Sequence, residues 1–239
     1  MATQEGERLT AAYRRGQLAV RARHLREVSA AWRVLDVTAL SQTLGVFAQA
    51  AARIVLGGWW QSADETVAYL GDFREAEGVP GSVTFVPPAA PSADEVAGLI
   101  RGAAATGIIN ARRSGKNARA SLDNGLVKTL GQSALTVLNG GRDTVLLGEH
   151  RDPKARRYER DVSGSACYFC LMLKARGAVY RSERSSSFEA HPHCGCTGRL
   201  VYAASDQSAE LAAEWARVTA GKSGVDARRA WRAHVEGRA

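Results

Sequence analysis

The residues best able to do chemistry lie within 30 positions of one another: Cys167-Tyr168-Phe169-Cys170, then His191-Pro192-His193 and Cys194-Gly195-Cys196. Two thiolates three positions apart at a turn can face one tetrahedral ion, and a second knuckle can supply the remaining soft donors, so zinc is the natural choice. Cys167, Cys170, Cys194, Cys196, His191 and His193 offer six donors for four places, and the spacing leaves open whether the set is four Cys or three Cys with one His. Disulfides, redox-active thiols and a Cys nucleophile with a His base are the competing readings. The nucleophile reading is weakened because no orienting Asn or Asp is marked out beside the pair.

Elements must hold these donors together. Tyr158 to Val162 alternates as a strand does, and Gly198 to Tyr202 is its expected partner across the cysteine segment. Elsewhere the period is helical. Leu18, Leu25, Val28, Trp32 and Leu35 form a first stripe, with Arg14, Arg15, Arg21 and Arg33 mostly off it, where they are solvated or touch a partner. Leu40, Leu44, Phe47, Ala51, Ile54 and Val55 form a second, with a break or kink expected at Gly57-Gly58 and a further helix carrying Val67, Leu70 and Phe73.

Four of the six prolines fall between Val79 and Pro91, which predicts a linker. Ser92-Ala93-Asp94-Glu95 has capping-box spacing and should start a helix reaching Arg113. After a turn at Ser114 to Asn117, Ala118 to Leu138 reads as helix, with Asn139-Gly140-Gly141 expected to stop it before a short helix from Arg142 to Glu149. Two short helices around Trp215 and Trp231 follow. The expected fold is α+β, predominantly α-helical, with a small β-containing zinc-knuckle-like module near the C-terminus. Its divisions are a helical region 1–78, a Pro-rich linker 79–91, a helical region 92–155, a Cys/His module 156–203 and a helical tail 204–239.

With 239 residues, 45% of them apolar, the chain can bury roughly 70–75% of its unfolded surface. The net charge of +8 favours an anionic partner. Arg112, Arg113, Lys116 and Arg119 form a block suited either to solvent or to sequence-blind phosphate contact, as do Lys154, Arg156, Arg157 and Arg160 beside Asp152 and Glu159. The start lacks a secretory pattern, and Gln49 and Arg53 interrupt the most apolar stretch, so no membrane span is expected.

Asn139-Gly140-Gly141-Arg142-Asp143, Cys167 to Leu173, Arg176-Gly177, Val179-Tyr180 and His191 to Cys196 together resemble the MuF-like minor head (head-morphogenesis) proteins of tailed actinobacterial bacteriophages. The resemblance covers roughly 92–202. It implies a virion protein placed in the procapsid near the portal, acting in head assembly, DNA packaging or ejection. The implied partners are the portal, the major capsid or scaffold protein and packaged DNA; the implied locations are the phage head interior and, during assembly, the host cytoplasm.

The family's His-Pro-x-Cys-Arg-Cys pattern falls on His191, Pro192, Cys194 and Cys196, with Gly195 in place of the Arg. Members are often labelled capsid maturation proteases, but the chain has neither a Ser with a spaced Lys nor a Ser flanked by two separated His. Ser185-Ser186-Ser187 invites an ADP-ribosyltransferase reading, which fails for want of a later Glu-x-Glu pair. The expectation is a non-enzymatic head protein with structural zinc on four of Cys167, Cys170, His191, Cys194 and Cys196. A Cys/His maturation protease and a zinc-dependent nucleic-acid-binding protein are the alternatives.

Overall fold

The computed structural model describes residues 2–36, 38–162, 166–175, 190–202 and 209–237. Four long helices make the body: α1 (Gln4–Ala31), α2 (Leu40–Ala76), α3 (Ala93–Arg113) and α4 (Ala118–Arg151). Two strands, β1 (Arg157–Asp161) and β2 (Thr197–Val201), pair antiparallel with Asp161 opposite Thr197. Between them lies α5 (Tyr168–Ala175), and α6 (Ala209–Val218) and α7 (Gly224–Glu236) close the chain. The expected α+β, mostly helical fold is the one observed, with the Cys/His cluster beside the small sheet.

Helix ends follow the sequence chemistry. Ser92 accepts from the Glu95 amide while Glu95 reaches back to the Ser92 amide, and Asn117 caps α4 through the Ala120 amide. The interior glycines do not behave as the sequence suggests. α2 runs unbroken through Gly57-Gly58, and α4 runs through Asn139-Gly140-Gly141 to Arg151, absorbing the short helix expected from Arg142 to Glu149.

The reason is close approach. A Cβ on Gly140 would lie 2.1 Å from the Trp59 carbonyl oxygen, and one on Gly58 would lie 2.8 Å from the His24 ring. Gly140 lets α4 meet the backbone of α2 and Gly58 makes room on α2 for the His24 side chain of α1, and tertiary packing outweighs their poor helix propensity. At this crossing the Gly141 amide donates to Ser62 Oγ at 2.9 Å, and Ser62 in turn bonds Gln17 Oε1 at 2.5 Å. Three helices are thereby tied through one buried polar group.

Val28, Trp32, Phe47, Val55, Val96, Ile100, Ile108 and Val137 join α1 to α4 in the first core. A second core gathers Tyr69, Phe73, Val145, Tyr158 and Leu200 together with Cys170, Cys194 and Cys196. Phe85 from the Pro-rich stretch inserts into it, and Arg74 pins that stretch by donating to the carbonyls of Val79, Pro80 and Gly81 while pairing with Asp152 at 2.9 Å. A third, smaller core packs Trp231 and Trp215 on Met172 and Leu173 of α5. Trp231 Nε1 donates to the Tyr168 carbonyl at 2.9 Å.

Candidate metal centre

Cys167 directly precedes α5 and Cys170 lies in its first turn, so both sulfurs reach one spot, 3.5 Å apart. Cys194 and Cys196 lead into β2, and Cys170 Sγ lies 3.3 and 3.4 Å from their sulfurs. All four cysteines are free, and these separations are longer than the roughly 2.05 Å of a disulfide. Thiolates bound to one zinc at about 2.3 Å in tetrahedral geometry would sit roughly 3.8 Å apart, close to these separations.

The donors form two triads that share Cys170: Cys167, Cys170 and His191, and Cys170, Cys194 and Cys196. His191 Nε2 is 2.8 Å from Cys167 Sγ, and its Nδ1 is 2.8 Å from the Pro192 carbonyl. A carbonyl only accepts, so Nδ1 carries a proton and Nε2 is the atom that faces the cluster.

The second knuckle turns at His193, whose φ of 69° lies in the left-handed region, while the Cys194 amide bonds back to the His191 carbonyl at 3.0 Å. That turn sends the His193 ring outward over α4, where a Cβ on Gly131 would come within 2.6 Å of Nε2. His193 is exposed and joins neither donor triad. Of the two histidines that the sequence leaves open, geometry brings His191 to the cluster.

Two buried arginines hold the sulfurs in place. Arg142, 1% exposed, donates from Nε to the Cys196 carbonyl at 3.2 Å and from Nη2 to the Cys194 and Cys196 carbonyls at 3.1 Å each. Arg160 on β1 donates from Nη1 to Cys196 Sγ at 3.2 Å. Cys170 is pushed far up because it shares its proton with the sulfurs of Cys194 and Cys196. Cys196 is held far below the ordinary thiol range by bonds from Cys170 and Cys194, reinforced by Arg160 and Arg142. Sulfurs that share their protons with one another beside two guanidiniums form an arrangement in which a divalent cation can take the protons' place.

Neither arginine was assigned this part by sequence. Arg142 stands in the Asn139 to Asp143 motif without an evident role, and Arg160 belongs to a block read as solvated or phosphate-binding. The sequence offers no clear signal for Arg142, since Asn139-Gly140-Gly141 reads as the end of a helix rather than its interior. Arg14 and Arg21 are likewise engaged: Arg14 pairs with Asp161 at 2.7 Å, and Arg21 Nη1 bonds the His193 carbonyl at 3.3 Å. A cavity of about 390 Å³ opens beside the cluster, lined by Leu18, Arg21, Cys167, His191 and Gly195 among others.

Arg112, Arg113, Lys116 and Arg119 gather at the α3–α4 turn, all exposed, at the end of the bundle where Trp32 packs on Gly125. Lys116 Nζ reaches Asn124 at 3.4 Å and Arg119 pairs with Asp123 at 3.4 Å. Ser185 to Ser187, Arg176-Gly177 and Val179-Tyr180 lie outside the described residues.

A family model described as VG15 protein matches residues 5–211, spanning the four long helices and the whole Cys/His cluster. The chain belongs to the VG15 protein family. This is a viral gene-product family, so the chain is phage-related. Neither a curated protein nor a solved structure matches it. Among the described residues no helix is long and apolar enough to cross a membrane.

Proposed function

We propose that this VG15 chain is a MuF-like minor capsid protein of the phage head, acting near the portal in procapsid assembly and in DNA packaging or ejection, with one structural zinc. The observation that carries the structural reading is the burial of Cys170, Cys194 and Cys196 within the second core, under Arg142 and Arg160. A sulfur enclosed in that way is suited to holding a fold together and poorly placed to attack a substrate.

Charge favours a particular donor set. Four thiolates around a divalent ion carry two net negative charges, and Arg142 and Arg160 bring two positive ones to the same cluster. Cys167 would be the fourth ligand, with His191, protonated on both ring nitrogens, donating to it from outside. The exposed block Arg112, Arg113, Lys116 and Arg119 would make salt-dependent phosphate contacts with packaged DNA, and the portal, major capsid or scaffold protein would be the assembly partners.

The test is zinc content of protein purified without added metal, with circular dichroism before and after chelation. About one zinc per chain, lost on Cys167→Ala and kept on His191→Ala, is the expected result. A metal-free protein that stays folded with readily alkylated thiols would overturn it.

One observation favours a second reading. Cys167 is half-buried at the mouth of the cavity, and its thiol is lowered: burial opposes this but is outweighed by the Cys170 amide and by His191 at 2.8 Å. That pair has nucleophile–base geometry. Co-expression with the major capsid protein separates the two, since a maturation protease would cleave it and lose that cleavage on Cys167→Ala without unfolding.

A further inference from the structure

The outer face of α1 has an unusual composition. Its exposed residues run Arg8, Ala12, Arg15, Ala19, Ala22, Arg26, Ala30 and, one step into the 3₁₀ turn Trp32–Val34, Arg33. At about 100° per residue, Arg8, Arg15 and Arg26 fall within roughly 20° of one another, with the alanines filling the same strip. No acid and no large apolar side chain stands on it; the exposed Glu5 and Glu27 lie on its flanks. Arg8 is paired with Glu5 at 2.5 Å, whereas no hydrogen bond or ion pair engages Arg15, Arg26 or Arg33 among the described residues.

We infer that this arginine–alanine spine of α1 is a second nucleic-acid surface, one that lies along the phosphate backbone of duplex DNA. Charge complementarity selects the occupant. A protein partner would need aromatic or large aliphatic anchors at the centre of its interface, and a membrane surface would need a broad apolar flank to insert; the spine has only Val34 at its far end. Beyond the paired Arg8, what it offers is the unpaired guanidinium charge of Arg15, Arg26 and Arg33, with alanines low enough to let a backbone come close.

From Arg15 to Arg33 the strip is roughly 27 Å long at 1.5 Å per residue. Duplex DNA presents one negative charge per about 1.7 Å of axis, so every arginine on the strip finds a phosphate without any sequence requirement. The strip also leads toward the basic tip. Trp32, beside Arg33, packs on Gly125, two turns into α4, so Arg33 lies at the same end of the bundle as Arg112, Arg113 and Lys116. The inference shares its partner with the DNA reading of that tip but rests on different residues.

The experiment measures binding of full-length protein to a 30-base-pair duplex of arbitrary sequence by fluorescence anisotropy, from 50 to 300 mM salt. It compares the wild type with Arg15→Ala/Arg26→Ala/Arg33→Ala and with Arg112→Ala/Arg113→Ala/Lys116→Ala. All six positions are exposed, and circular dichroism checks the fold of each variant. Each phosphate contact contributes about 0.9 to the log–log salt slope, so the spine variant should lose close to 3 units of slope and roughly 10²–10³-fold in affinity at 0.1 M salt.

Loss in the spine variant alone supports the spine and removes the tip from the interface; loss in both variants supports both surfaces. Loss in the tip variant alone overturns the spine and leaves the tip standing. A wild type that ignores duplex DNA at 50 mM salt but is retained by polyglutamate overturns the nucleic-acid assignment and makes the spine a surface for acidic protein.

Discussion

Truncating Arg142 tests how the helical body and the Cys/His centre depend on one another. Arg142→Ala removes three N–H···O contacts of 3.1–3.2 Å onto the carbonyls of Cys194 and Cys196, and it withdraws a buried positive charge from the sulfurs. A bond with a charged partner contributes about 1.5–3 kcal/mol, and an acceptor left buried without a donor costs about 1–3 kcal/mol. Allowing for relaxation of the knuckle, the expected loss is about 3–5 kcal/mol. For a chain of this size that lowers the melting temperature by roughly 6–20 °C.

Zinc affinity, read by competition with a chromogenic chelator, should fall about 10–100-fold, as it does when groups that orient metal ligands are removed. Arg142→Lys separates the two contributions, since it keeps the charge and loses the fork; its affinity should lie between those of wild type and Arg142→Ala. After chelation the wild type and Arg142→Ala should melt closer together, because the knuckle that Arg142 holds is then already loosened. An Arg142→Ala protein with unchanged zinc affinity and a melting temperature within 2 °C of wild type would refute the argument.

Two further perturbations probe the bundle. Gly140→Ala places a methyl group 2.1 Å from the Trp59 carbonyl oxygen and should cost at least about 3 kcal/mol, whereas Gly71→Ala, with nothing within 4 Å, should stabilise α2 by about 1 kcal/mol; urea titration of both reads the opposite signs. Burial pushes the Asp143 carboxyl up to about 6 from 3.8, against the opposing pull of Arg142. An acid raised in the folded state imposes no penalty below its unfolded pKa and an increasing one as pH rises through 4 to 6. Asp143→Asn should therefore match wild type at pH 4 and exceed it by up to about 3 kcal/mol at pH 8, the difference between the two proteins cancelling the pH dependence that metal binding gives both.

Much of the fold is legible in the residues because local and tertiary demands agree there. The Ser92 capping box, the turn at Ser114 to Asn117, the strands flanking the cysteines and the terminal helices around Trp215 and Trp231 all stand where the sequence places them. The misreadings share one cause. Gly57-Gly58 and Gly140-Gly141 look like punctuation, since glycine weakens an isolated helix, and only the partner helix shows that the missing Cβ is what permits contact. The same blindness hides Arg160: nothing in Arg156-Arg157-Tyr158-Glu159-Arg160 distinguishes the arginine that will lie 3.2 Å from a sulfur from those that stay near solvent. Alternation in β1 puts Tyr158 and Arg160 on one face, but Glu159 on the other face is buried as well, so the period alone does not single Arg160 out.

The donor cluster is legible in type and spacing but not in membership, and what decides membership is the framework around it. His193 is turned outward by its left-handed backbone and by the hollow at Gly131 that receives its ring, which leaves His191 as the histidine on the sulfurs. That framework draws on α1 through Arg21, on α4 through Arg142 and Gly131, on β1 through Arg160 and on α5 through Cys170. A zinc finger that folds alone needs no such support, because its metal supplies most of its stability. Here ion and bundle would each complete the other: the bundle brings guanidiniums and shaped hollows, and an ion would cross-link the α5 and β2 segments across the second core. Removing the metal should thus loosen the sheet and the α5–α7 group that hangs from it before it disturbs the crossing of α2 and α4. Amide exchange should read this as early loss of protection at Tyr158 and Leu200, with protection retained at Val55 and Val137.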